Sequence, residues 1–297
     1  RPEFLRRHLR PCTIAEWLRG VQVIGRGHRH RRGAWPASIR SCCTERRGGQ
    51  LTKIWQSKVM YSPKRRFRLF RSPAFQPTSS FTNPTLTIGS AVTNVTQSPF
   101  AGGGNSYSFI SSVNSYITTP GSTDWVLGTG DFTVEWFSYQ TTLSQFQRAY
   151  TIGDYPSIFT GVSIEAGTFY YWANGPFRYS ASSASTANTW IHWAVVRQSG
   201  ITKVYRNGTQ LGSQFTDTYD IQNAVTPLAI GNTNTFATNS ALVGYLTNFR
   251  WVKGLAVYTG NFTVPTSALT ATAGANPYGG SNTVAIGSGF TKLLLVP

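Results

Sequence analysis

The 297-residue sequence is short of acids, sulfur and histidine: ten Asp and Glu against 27 Lys and Arg, three cysteines, one methionine and four histidines. Charged residues are only 12% of the chain, which limits the catalytic and metal-ligating groups it can assemble. Cys12, Cys42 and Cys43 all lie near the N-terminus, so the rest of the chain holds neither a disulfide nor a thiolate metal site. Cys42 and Cys43 are adjacent and do not pair easily, and the odd count leaves the redox compartment open. No uninterrupted run of about 18 apolar residues occurs, so no membrane span is expected. No long stretch has 3.6-residue apolar spacing, so helix should be minor.

Charge is divided as unevenly as cysteine. Residues 1–72 hold 19 of the bases and three acids (Glu3, Glu16, Glu45), a net of +16, whereas residues 73–297 hold eight bases and seven acids, a net of +1. The formal +17 therefore belongs to an irregular basic arm joined to a nearly neutral domain. Within the arm, Arg26 to Arg32 and Lys64-Arg-Arg-Phe-Arg-Leu-Phe-Arg71 can neutralise phosphates, and interleaved aromatics can stack on bases. Three other readings compete: a solvated tail, an Arg-rich targeting peptide, or sequence foreign to the native product. The sole methionine, Met60, suggests a natural start, which would make 1–59 upstream sequence and 60–82 a short basic arm and linker. Five bases then remain as a tether to an acidic neighbour, capsid protein or nucleic acid: Lys64, Arg65, Arg66, Arg68 and Arg71.

From Asn83 to Pro297 strand and turn signals recur every 8–12 residues, the rhythm of an antiparallel sandwich. Expected strands are Thr85–Ile88, Ser106–Ile110, Tyr116–Thr119, Phe132–Tyr139, Ala149–Ile152 and Ser157–Ile164. They continue with Phe169–Ala173, Trp190–Arg197, Ile201–Arg206, Thr226–Ile230, Val243–Val252 and Thr291–Val296. Between two of these, Asn207-Gly208 supplies the two left-handed positions of a type I′ hairpin, and Gln198-Ser199-Gly200 makes a second turn.

An ordered series of motifs runs through this region. Gly128-Thr-Gly-Asp-Phe-Thr-Val-Glu-Trp-Phe137 is followed by Trp190-Ile-His-Trp-Ala-Val-Val-Arg197, Tyr205-Arg-Asn-Gly208 and Leu228-Ala-Ile-Gly231. Gly244-Tyr-Leu-Thr-Asn-Phe-Arg-Trp-Val-Lys-Gly254 and Ala256-Val-Tyr-Thr-Gly-Asn-Phe-Thr-Val-Pro265 come next, and Phe290 to Val296 closes the set. The series resembles the laminin-G-like branch of the concanavalin A-like lectin/glucanase superfamily, over essentially the whole of 83–297. Its Tyr258-Thr-Gly-Asn-Phe-Thr-Val-Pro265 segment is similar to domains in structural proteins of viruses and phages. The resemblance implies an all-β jelly-roll sandwich whose concave face or rim loops bind glycans or proteins. It also implies a virion or extracellular setting, with other capsid or virion proteins as partners.

No catalytic constellation stands out. A retaining glycosidase needs two carboxylates about 5 Å apart. The glucanases of the superfamily place theirs in a Glu-x-Asp-x-x-Glu type pattern, which is absent here. Asp131 and Glu135 share a strand face by parity but stand too far apart for that pair; a turn acid and a satisfied sheet-surface acid are the simpler reading. His192, inside an aromatic strand, reads as packed and hydrogen-bonded. Asp217 and Asp220 can offer oxygens to Ca²⁺, though solvated loop acids explain them as well. No cofactor and no metal are expected. For sugar binding the best stretch is Phe169 to Tyr179, where alternation sends Tyr170 and Trp172 to one face and Phe169 and Tyr171 to the other. Trp172, Asn174, Phe177, Arg178 and Tyr179 are the candidate glycan contacts, with the Asn174-Gly-Pro-Phe177 loop as the exposed part. Asn94, Asn207 and Asn261 begin glycosylation sequons, the second of which doubles as turn chemistry.

Overall fold

The computed structural model describes residues 81–297 except 145, 155–157 and 222–225, and also the backbone of two strands nearer the N-terminus. Two compact units divide the chain, Arg1–Thr78 and Ser79–Pro297. In the first, β1 (Thr44–Arg47) and β2 (Gln50–Lys53) pair antiparallel, with Arg47 opposite Gln50. The Lys64–Arg71 bases, Met60 and the three cysteines lie outside the described residues.

The second unit is built from β3 (Thr87–Ile88), β4 (Thr93–Val95), β5 (Ser106–Phe109), β6 (Ile117–Thr118), β7 (Phe132–Gln140), β8 (Gln147–Asp154), β9 (Ile158–Glu165) and β10 (Thr168–Trp172). Then follow β11 (Phe177–Ala181), β12 (Trp190–Gln198), β13 (Ile201–Arg206), β14 (Thr209–Gln210), β15 (Phe215–Thr216), β16 (Leu228–Ile230), β17 (Gly244–Lys253) and β18 (Thr291–Leu295). Helix is confined, among the described residues, to two single 3₁₀ turns, Thr123–Trp125 and Thr238–Ser240. All twelve expected strands are present, Ile201–Arg206 at its expected bounds and the others with shifted ends. Both turns of β12–β13–β14 form as expected: Ser199 and Gly200 have φ of 49° and 76°, and Asn207 and Gly208 have 49° and 75°.

The strands form two antiparallel sheets. One has seven strands in the order β11-β10-β9-β8-β16-β6-β3. The other runs β14-β13-β12-β7-β17-β5-β4, with β15 against β13 and β18 against β17. Period-2 alternation aims one face of each at the other. Phe132, Val134 and Trp136 of β7 and Ile191, Trp193 and Val195 of β12 meet Phe169, Tyr171, Val162 and Ile164 of the seven-stranded sheet in one apolar core. The packed interior includes Trp125, Trp136, Trp193 and Trp251, each at most 1% exposed. Burying one such aromatic contributes roughly 1.5–3 kcal/mol.

The nine-stranded sheet is buried on its other face too. Residues 254–290 cross that face as an irregular roof, placing Val257, Tyr258, Phe262 and Ile286 against Ala194, Val196, Tyr205 and Val252. Hydrogen bonds fasten the roof: Val257 N donates to Thr133 Oγ1 (2.8 Å), Leu269 N to Asn248 Oδ1 (2.7 Å) and Phe262 N to Gly208 O (2.9 Å). The outer face of the seven-stranded sheet is buried at Arg148, Thr151, Phe159 and Ser163 but not at its β10–β11 end, where Phe177 is exposed and Tyr170 and Trp172 are half-buried.

Candidate functional site

The acids are the first test of any chemistry, and most of those described have structural partners. Glu135, expected at the sheet surface, is fully buried beneath the roof. Its Oε1 accepts from Nε and Nη2 of Arg250 (2.9 and 2.6 Å). Its Oε2 accepts from the Tyr258 hydroxyl (2.6 Å) and lies 3.1 Å from His192 Nε2. Burial alone would raise the Glu135 pKa, but the Arg250 charge and the His192 and Tyr258 hydrogen bonds overcome it and hold the carboxyl at about 2. The Tyr258 hydroxyl is pushed well above its usual value by burial and then by the Glu135 charge. His192 is 1% exposed and packed, as its strand context implied. A carboxylate saturated in this way and shut off from solvent has no lone pair free for a substrate.

A second buried group surrounds Asp217. Its Oδ2 accepts from Thr202 Oγ1 (2.8 Å) and its Oδ1 is 3.7 Å from Arg197 Nη1. Arg197 also donates to the Gly130 and Tyr219 carbonyls (2.8 and 2.9 Å), tying the strand end to two loops. Asp217 is thus no solvated loop acid, and it points to an arginine, while Asp220 is exposed. Asp131 accepts from Ser199 N (2.7 Å) at the mouth of β7, and Asp124 meets Lys292 at 3.4 Å. Among the described residues, no three His, Cys, Asp or Glu side chains come together as a metal site.

The candidate surface is the outer face of the seven-stranded sheet. Phe169 and Tyr171 of β10 enter the core, so alternation turns Tyr170 and Trp172 outward. β11 pairs with β10 across a bulge that sets Phe177 opposite Trp172. The three outward rings form a triangle: Tyr170–Trp172 6.3 Å, Tyr170–Phe177 5.9 Å and Trp172–Phe177 5.8 Å between centroids. Phe177 is 54% exposed, while Tyr170 and Trp172 are half-buried. Trp172 is held from beneath, its Nε1–H donating to Ser163 Oγ (3.0 Å) and its ring 5.3 Å from Phe159. The buried Arg148 guanidinium sits 5.2 Å from the Phe159 ring and 5.4 Å from Trp172.

Of the five candidate glycan contacts, the structure brings Trp172 and Phe177 together on this face. Asn174 and Arg178 stand at the strand ends. Asn174, at φ 51°, donates from Nδ2 to Asp220 O (2.8 Å), and Arg178 lies 3.5 Å over the Tyr219 ring with Nε donating to Ala173 O (3.1 Å). Tyr179 turns the other way: it stacks on Phe215 at 5.7 Å and its hydroxyl donates to Leu211 O. Phe177 itself opens a strand where a loop was expected. Tyr170, Phe159 and Arg148 join the face without being among those candidates. Parity already puts Tyr170 beside Trp172, but Phe159 and Arg148 arrive from β9 and β8, a neighbourhood that local sequence does not encode. The surface is a platform, not a pocket. Two shallow grooves of about 230 Å³ lie elsewhere, one between Gly102–Asn105 and Thr266–Ala268 and one between Phe81–Thr82 and Ser288–Lys292.

A laminin G-type family model, described as the concanavalin A-like lectin/glucanases superfamily, matches residues 111–255. Among solved structures, the enzymatically active domain of bacteriophage CBA120 tailspike protein 2 shares 13% identity at a TM-score of 0.51, over 72% of this chain and 33% of that one. Domain 4 of an extracellular arabinanase from Geobacillus stearothermophilus, solved with arabinotriose, shares 17% identity at a TM-score of 0.47, over 61% and 86%. The Botulinum neurotoxin serotype G binding domain shares 14% at 0.41, over 71% and 45%. The chain thus spans less than half the length of the toxin domain and a third of the tailspike fragment. No curated protein sequence matches the chain. At such identities the structural likeness is one of fold alone. Family model and two-sheet topology agree: the match to the concanavalin A-like lectin/glucanases superfamily runs over residues 111–255, and the β domain has the sandwich fold of that superfamily.

Proposed function

We propose that this domain is a non-enzymatic binding module whose open face, formed by Tyr170, Trp172 and Phe177, stacks against the apolar face of a glycan. The observation that carries the reading is Phe177, a phenylalanine 54% exposed beside a tryptophan that is hydrogen-bonded in place. Such a ring offers area at little ordering cost, because its partners already fix it. The carboxylates favour binding over hydrolysis: Glu135, the acid nearest to a catalytic candidate by sequence, is sealed with Arg250 and Tyr258.

The finer part of the proposal is the setting, a virion surface, with the basic segment Lys64–Arg71 as the tether to an acidic neighbour. The motif series ending at Pro265 supports it, as does a fold shared with a tailspike domain. Two measurements test the two parts. Wild-type chain on a glycan array should bind, and Phe177→Ala should lose that signal. Stoichiometric recovery of the chain from purified particles is expected; absence from them sinks the virion setting and leaves a free lectin or adhesion module.

A further inference from the structure

A second group of aromatics stands on the opposite sheet, outside everything described above. Trp190 begins β12, Tyr139 is the last but one residue of β7 and Tyr245 lies near the start of β17. Register places Tyr139 directly opposite both Trp190 and Tyr245 on its two neighbouring strands. The rings meet at 5.6 Å (Tyr139–Trp190), 5.6 Å (Tyr139–Tyr245) and 6.3 Å (Trp190–Tyr245). Parity puts them on the outer face of the nine-stranded sheet, the same face that carries Glu135 and His192.

Three observations separate this triangle from ordinary packing. First, the roof stops short of it: the sealed region ends at Phe137, which Phe100 (5.2 Å) and His192 (4.6 Å) cover, and the triangle lies one step beyond along β7. Second, none of the three rings belongs to either apolar cluster of the domain, and all three are half-buried, so they pack chiefly on one another. Third, the surroundings are polar without charge. Ser108 is paired with Tyr245 and Thr93 with Ser108, while Asn188 and Thr189 lead into Trp190.

We infer that Trp190, Tyr139 and Tyr245 form a second ligand site, for a neutral saccharide. The rings present flat apolar area, and each also carries one polar group. The hydroxyl and amide border suits hydroxylated ligands and gives a charged one no counter-ion. At the triangle β7 and β17 are paired on both sides, and β12 is paired with β7 at Trp190 and with β13 from Trp193 onward, which leaves a peptide only a two- to three-residue stretch of edge to extend. The inference rests on different residues from the Trp172 face and stands or falls separately. If both sites bind, the domain holds two sugar chains on opposite faces, and linkage raises avidity beyond either site alone.

Each triangle contains one tryptophan, which makes the test direct. The full chain labelled with 5-fluorotryptophan is titrated with four neutral hexasaccharides (cello-, xylo-, manno- and laminari-) and with oligogalacturonate. Fluorine resonances are assigned by Trp190→Phe and Trp172→Phe. The Trp190 resonance should move saturably with at least one neutral probe, move equally in Phe177→Ala, and need at least a tenfold higher probe concentration in Tyr245→Ala. An unmoved Trp190 resonance across all neutral probes overturns the site, as does a response to oligogalacturonate alone or one that Phe177→Ala abolishes. The Trp172 resonance reports the first face in the same tubes, so failure of one site is not mistaken for failure of the other. If Trp190→Phe does not fold, hydrogen exchange over 188–192 in the wild-type chain decides instead: protection by a neutral probe supports the site, and unchanged exchange with all of them overturns it.

Discussion

The outer faces of the two sheets differ most at the β10–β11 end of the seven-stranded sheet, which stays open. The nine-stranded sheet hides most of its outer face under residues 254–290, and the groups hidden there include Glu135, Arg250 and His192. The seven-stranded sheet leaves Tyr170, Trp172 and Phe177 at the surface with a supporting layer of Ser163, Phe159 and Arg148 beneath. Hidden charge is costly unless every lone pair is matched, so the sealed face needs a closed network. Exposed aromatic area carries no such demand and is free to meet a ligand. A mutation in the sealed network should therefore cost stability, and one on the open face should cost binding.

The largest effect is expected from Glu135→Ala. Removing the carboxylate strands Arg250 in a buried site, where breaking an ion pair costs about 3–5 kcal/mol; urea unfolding at neutral pH should show a lowered midpoint. An unchanged midpoint would break the contrast between the faces. Acid comes next. Because the folded carboxyl sits at about 2 against an ordinary 4.5, its contribution is complete above pH 4.5 and is lost as pH falls toward 2. The difference amounts to roughly 3 kcal/mol, and the pH slope of stability between 5 and 2 should flatten in Glu135→Gln. Tyr258→Phe removes one hydrogen bond to that charge and should cost about 1.5–3 kcal/mol, read from the same unfolding curves. Smallest is Phe177→Ala, expected to change stability by no more than about 0.5 kcal/mol. A larger loss would mean that the open face is part of the fold's support.

How far these differences are legible in the sequence depends on their range along the chain. The strands are legible because alternation and turn chemistry are local: Asn207-Gly208 needs only its own two φ angles. The roof is not, since residues 254–290 carry neither period 2 nor period 3.6 and hold their place through Thr133, Asn248 and Gly208, far away in sequence. That is why Glu135 reads as a surface residue from sequence. Asn174-Gly-Pro signals a turn and so extends the expected loop to Phe177; the turn is real, but β11 starts directly after it. Sequence groups Tyr179 with its neighbours, whereas the bulge in β10–β11 sends it toward Phe215. The Tyr139–Trp190–Tyr245 triangle depends on the register of three strands, which single-strand patterns do not contain.

The central claim is that the Tyr170–Trp172–Phe177 face binds and does not merely pack. Binding of the wild-type chain and Phe177→Ala to a glycan array, with both unfolding curves measured alongside, tests it most directly. The account predicts a ligand for the wild type, about tenfold or greater weakening in the variant, equivalent to some 1.4 kcal/mol, and superimposable unfolding. Full binding by a folded Phe177→Ala, or no glycan bound by either protein, would contradict it.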